Sequence, residues 1–219
     1  MTGKNIDKLD DLKQEEDEQQ EEYKASKQTI IFSVVAGVVL LVVIGFLFFG
    51  FDDSAPTLPT VEYNYFKFEQ IGGMWQTTIE LDDQPYEAPF RFNPEQVQDV
   101  PVVGKFSGFV KMPVYITFDP ESEYDDFKYL ALGVSELTLH MVRALNVSVE
   151  AACTKNVTDA CVDRPIVTCG DFGKSVIYLH TSNETLVNLS NHCITLSGPE
   201  LDLLKPVDRL LFQWYKIMS

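Results

Sequence analysis

MPVYITFDPESEYDDFKYLALGVSELTLHMVRALNVSVEAAC, residues 112 to 153, carries the pattern that decides the fold. Its first seven residues are nearly all apolar on both faces, which suits a strand in the middle of a sheet covered on both sides. Asp119-Pro120 ends that run, and Ser122 with Asp125 three residues on makes a capping-box-like helix start. Phe127, Leu130, Val134, Leu137, Met141 and Leu145 then recur at intervals of three and four, with Leu132 and Leu139 widening the stripe. VSVEAAC, residues 147 to 153, alternates like a half-buried strand. Strand, helix and strand in this order predict a right-handed βαβ crossover.

Working outward, the preceding segment turns aromatic and β-branched at Val61, as VEYNYFKF, meets Ile71-Gly72-Gly73 and continues as MWQTTIEL. That is a hairpin signature. APFRF supplies a third strand and ends at Asn93-Pro94-Glu95, where Asn caps and Pro opens a short helix. On the other side PIVTC, KSVIYLH, TLVNL and CITL are short strands around turns, read as an antiparallel meander. The chain closes with a helical face of Leu203, Val207, Leu210, Leu211, Trp214 and Met218, in which Pro206 either kinks the helix or marks its first turn. The prediction is an α+β domain over residues 61–219 with a mixed β-sheet, one βαβ crossover, the meander and a C-terminal helix.

Further out lies TIIFSVVAGVVLLVVIGFLFFGF, residues 29–51, with no charged residue. As a helix it reaches roughly 34 Å, enough for a hydrocarbon core of about 30 Å. Lys13, Lys24 and Lys27 precede it and the next cation is Lys67, so the positive-inside rule puts the amino terminus in the cytoplasm and the domain outside. A cleaved signal peptide is the competing reading, but the leader is long and acidic and the apolar run exceeds the usual 7 to 15 residues or so. Residues 1–28 read as an acidic tail, solvated or disordered, and residues 52–60, DDSAPTLPT, as a stiff stalk. Ser33 and Gly37 are spaced for close helix pairing, which would make a homodimer.

The formal charge is −16, with 33 acids against 17 Lys and Arg. Clustered cations are what phosphate binding relies on, so nucleic acid is not an expected partner. Two features agree with an oxidising exterior. Cys153, Cys161, Cys169 and Cys193 all follow the apolar run, as do Asn-x-Ser/Thr sequons at Asn146, Asn156, Asn183 and Asn188. The favoured pairing joins Cys153 to Cys161 around Asn156 and Cys169 to Cys193, tying the first and last meander strands. Cysteine spacings of 8, 8 and 24 offer no close pair of the kind structural zinc uses.

Asp119, Glu121, Glu123 and Asp126 form the densest acidic cluster of the domain, at a strand's carboxyl end where open sheets bind ligands. They can offer oxygens to Ca²⁺ or Mg²⁺, or simply complement a helix dipole. Of three histidines, His140 lies four residues after Glu136, which is helix-surface pairing spacing. A Cys169 nucleophile with His180 or His192 can be drawn, but no hydrolase, metalloprotease, P-loop or dinucleotide motif occurs. The function expected is that of a single-pass surface or envelope protein, in contact with the bilayer and with other membrane or surface proteins, whose ectodomain is a binding or assembly module. A membrane-tethered enzyme and a pilin-like subunit processed near Lys24-Ala25 are the alternatives.

Overall fold

The computed structural model describes residues 32–45, 58–122 and 124–219, and the chain divides into two units after Thr57. In the first unit residues 32–45 form helix α1, with side chains from Phe32 to Ile44 exposed all round. No helix among the described residues is long and apolar enough to cross a membrane. The rest of the 29–51 stretch, the acidic tail and most of the stalk lie outside the described residues. Ser33 and Gly37 stand one turn apart on α1.

The second unit is α+β with two sheets rather than the single sheet expected. The first is a meander of β1 (Thr60–Tyr63), β2 (Phe66–Ile71), β3 (Met74–Leu81) and β4 (Gln84–Phe90), each antiparallel to the next. Three two-residue turns join them, and all six turn residues have positive φ: Asn64 and Tyr65, Gly72 and Gly73, Asp82 and Asp83. Such turns match the strand twist. The run VEYNYFKF is therefore two strands folded at Asn64-Tyr65, because a Tyr in the second turn position does not announce itself as glycine does. Alternation puts Phe68, Trp75, Ile79, Ala88 and Phe90 on the buried face, with Lys67, Thr78, Glu80 and Glu87 outward. Pro85 and Pro89 are tolerated because β4 is an edge strand.

Asn93 caps the short helix α2 (Pro94–Val97) as expected, in a reciprocal capping box with Gln96. The second sheet has six strands in the order β5 (Val102–Phe106), β9 (Leu186–Asn191), β10 (Cys193–Gly198), β8 (Ser175–Thr181), β6 (Val114–Phe118) and β7 (Val149–Cys153). The crossover is present: β6, helix α3 (Tyr124–Arg143) and β7, with β6 and β7 parallel and adjacent. The C-terminal meander is not. Only β9 and β10 form an antiparallel pair, while β8 runs parallel to both β10 and β6. The connection 182–185 carries the chain past the position that β10 later fills, so β10 slots between β8 and β9. PIVTC is no strand; Ile166 makes one isolated parallel bridge to Cys153. Strand β5, unassigned from sequence, pairs with β9. Gly104 permits this: at φ +87° a Cβ there would lie 2.0 Å from the Leu189 carbonyl oxygen.

Helix α4 (Leu204–Trp214) follows a 3-10 turn, Glu200–Leu203, and Pro206 sits in its first turn without kinking it. A helix apolar on one face was expected, yet α4 is buried from Leu204 to Phe212 apart from Lys205. The reason is that α3 and α4 pack together as a layer between the sheets. Phe212 meets Phe68 and Phe90 of the meander at ring-centroid distances of 5.7 and 4.5 Å, while α4 also lies along β9 and β10 and α3 along β7 and β8. The opposite face of the six-stranded sheet is covered by residues 154–174. Ala152, Val167, Val176 and Cys193 form a small core there, and Thr117 Oγ1 donates to the Val167 carbonyl at 2.8 Å. Two disulfides secure this covering segment, Cys153–Cys161 and Cys169–Cys193. Cys169 is not on a strand, so its bond ties the covering loop to the start of β10.

Candidate functional site

Strand β6 lies between β7, reached through α3 on one face, and β8, reached through the disulfide-tied segment on the other. The two connections part at the carboxyl ends of these strands, which is where open sheets leave a crevice. Four segments meet at that edge: Asp119–Ser122 after β6, Thr154-Lys155 after β7, Ser182-Asn183 after β8 and Pro199-Glu200 after β10. Thr154 N–H donates to the Phe118 carbonyl and Ser182 N–H to that of Gly198, which joins the segments in two pairs.

The acidic cluster is organised around Lys155. Its ammonium stands 3.1 Å from Asp119 Oδ2 and also bonds Glu121 Oε2. Glu121 N–H donates to Asp119 Oδ1 at 3.0 Å, and the Ser122 hydroxyl donates to the Asp119 carbonyl at 2.9 Å, while the Asp125 side chain of the expected capping box lies outside what the structure describes. Partial burial opposes ionisation of Asp119, but the Glu121 N–H and the Lys155 ammonium outweigh it and hold its carboxyl below the ordinary value. The Glu121 and Asp119 carboxylates in turn raise Lys155. A cation is thus built into the chain where Asp119 and Glu121 converge. Asp126 stands apart from that pair, on the depression described next, and Glu123 lies outside the described residues. Among the described residues no group of three or more His, Cys, Asp or Glu is placed to hold a metal ion.

Beside this cluster an open depression of about 420 Å³ is lined by Asp126, Thr181, Ser182, Asn183, Pro199 and Glu200. Thr181 Oγ1 donates to Ser122 Oγ at 3.4 Å, linking the depression to the Asp119 turn. On β8 the Tyr178 hydroxyl and His180 Nδ1 are 3.2 Å apart, and positive charge on His180 favours the ionised form of Asp119. The edge therefore presents hydroxyls, an amide and carboxylates in shallow, wet surroundings. Among the described residues it holds no activated cysteine or serine: all four cysteines are in disulfides, which removes the Cys169 arrangement drawn from sequence, and the Ser122, Thr181 and Ser182 hydroxyls bond to one another or to the backbone.

A second polar assembly is buried between the helices and the meander. Glu136 and His140, expected to pair on the helix surface, are both inside. Glu136 Oε1 accepts from Arg91 Nε and Nη2 at 2.9 and 2.6 Å. His140 Nε2 lies 2.8 Å from the Pro89 carbonyl and Nδ1 2.8 Å from the Tyr215 hydroxyl, an arrangement that suits a neutral ring donating from Nε2 and accepting at Nδ1. Burial lowers the basicity of His140 and pushes the Tyr215 hydroxyl up. Asp208, on α4, accepts from Phe92 N–H at 2.8 Å. Its burial, then the neighbouring Glu136 charge, push its carboxyl well above the carboxylate range. This assembly joins the end of β4, α3 and α4, and only the Arg91 side of it reaches solvent, so it is a structural device.

Sequence reasoning missed Lys155 and Asp208. Lys155 was accessible in principle, since parallel β6 and β7 end side by side at Phe118 and Cys153 and carry Asp119 and Lys155 just beyond. Asp208 interrupts an apolar helical run, LLKPVDRLLF, which is the mark of a buried partner elsewhere. The four sequon residues Asn146, Asn156, Asn183 and Asn188 are all exposed, and Asn183 stands on the rim of the edge depression. No family model matches this chain, and neither do any curated proteins or solved structures.

Proposed function

We propose that residues 58–219 are an extracytoplasmic binding or assembly module, held at a membrane by the 29–51 segment with the amino terminus in the cytoplasm. The observation that carries this reading is α1, whose apolar side chains from Phe32 to Ile44 are exposed in every direction. A helix apolar all round belongs in a core or in lipid. The two disulfides and four exposed sequons support an oxidising, glycosylating exterior. The open, polar edge at β6 and β8, with no activated cysteine or serine among the described residues, supports reversible binding of a polar or basic group over covalent catalysis. A tethered enzyme is the second reading, favoured by Tyr178, His180 and Asp119 standing in sequence at that edge.

Epitope tags at each end of the full chain test the topology. In sealed cells an external protease should remove the carboxyl-terminal tag and spare the amino-terminal one, and the protein should resist carbonate extraction. An amino-terminal tag that is cleaved, or a chain released by carbonate, would overturn the reading.

A further inference from the structure

A second recess, on the other side of the crossover from the polar edge, has a different chemistry. It is a groove of about 250 Å³ between α3 and the β6–β7 pair, lined by Phe118, Phe127, Leu130, Ala131, Val134 and Ala151, with Arg164 at its Phe118 end. Phe118 and Phe127 meet edge to face at 5.6 Å and form its end. The Arg164 guanidinium lies over the Phe118 ring, 5.8 Å from the centroid. Its position is fixed by the covering segment: Arg164 N–H donates to the Cys161 carbonyl, and Cys153 N–H to that of Pro165, so the Cys153–Cys161 disulfide sets the residue beside the groove.

The charge environment selects the occupant. In a chain with almost two acids per base, Arg164 has no carboxylate within ion-pair distance among the described residues, which leaves its charge open to a ligand. A guanidinium with five donors and no acceptor, standing at the end of an apolar slot, fits an aliphatic tail ending in an anion. The groove is smaller than the 300 to 1,000 Å³ or so typical of drug-sized ligands, which limits the tail to a short or medium chain. We infer that this groove binds a medium-chain aliphatic carboxylate, with the chain along Phe127, Ala131 and Val134 and the carboxylate on Arg164. The inference concerns a site separate from the polar edge and does not depend on the membrane topology.

Equilibrium dialysis of radiolabelled octanoate against the full chain in nanodiscs, with empty nanodiscs of the same lipid as blank, tests it. Saturable uptake of about one octanoate per chain is expected with a Kd of roughly 0.1 to 1 mM. Octanol should bind about tenfold more weakly, since it lacks the charge-assisted bonds. Arg164→Gln should cost octanoate about tenfold and leave octanol unchanged, and Ala131→Trp, at an exposed position, should abolish both. Melting curves of the two variants establish that they are folded. No saturable uptake above the blank, equal binding of octanol and octanoate, or an Arg164→Gln variant that retains octanoate binding would each overturn the inference.

Discussion

At the residue scale the buried assembly sets how stability responds to pH. An unfolded Asp ionises near pH 4, whereas Asp208 in the fold stays protonated to higher pH. Between the two values the unfolded chain binds fewer protons than the native one, so stability falls as pH rises through that window. Asp208→Asn keeps an acceptor for Phe92 N–H and removes the titration. Denaturant midpoints measured from pH 4 to 8 should therefore decline less steeply for the variant, and a parallel decline would show that Asp208 is not the source. Tyr215→Phe leaves His140 Nδ1 buried without a partner, because Nε2 must keep its proton for Pro89. A loss of about 1–2 kcal/mol is expected, seen as a Tm lower by roughly 2–8 °C. Lys155 already occupies the site between Asp119 and Glu121, so millimolar Ca²⁺ should leave the Tm unchanged. In Lys155→Ala, Ca²⁺ should raise it, and a wild-type response as large as the variant's would refute that role. The burial of His140 was not legible in the sequence: a Glu four residues before a His reads as a surface pair until a second helix and a strand are placed over it.

At the scale of elements, turn chemistry decides where strands break. Asn64 is held in place by a bond from Nδ2 to the Ile217 carbonyl at 2.8 Å, but Tyr65 takes φ +72° with its side chain wholly exposed. An L residue pays about 1 kcal/mol or more there, and glycine does not. Tyr65→Gly should thus stabilise by about 0.5–1 kcal/mol, read as a rise in the denaturant midpoint at unchanged slope; a fall would mean the Tyr ring contributes contacts that outweigh the strain. Gly104→Ala should do the reverse, since its Cβ collides with Leu189 and β5 cannot stay on β9. The short cap at Asn93 and the long stripe of α3 were both readable, because capping and periodicity are local. The direction of β8 and β10 was not, since identical alternating strands serve parallel and antiparallel pairs alike.

At the scale of the whole molecule, the disulfides fasten a covering segment that has few regular backbone bonds of its own. Replacing Cys169 and Cys193 by Ser opens a 24-residue loop and should cost about 3.5 kcal/mol, against about 2.5 for the 8-residue loop of Cys153 and Cys161. Chemical denaturation of the two double variants measures this order. The sequence by itself determined the class of the domain, the crossover at its centre, the capped short helix and the presence of a long uncharged apolar stretch. Each of these is written in spacing and composition along a few dozen residues. Only the tertiary structure decided that there are two sheets, that α4 is buried between them, that Lys155 closes the acidic cluster and that Arg164 stands over an apolar groove. Those depend on contacts between segments far apart in the chain, and the burial that makes a polar residue informative exists only once the layers have come together.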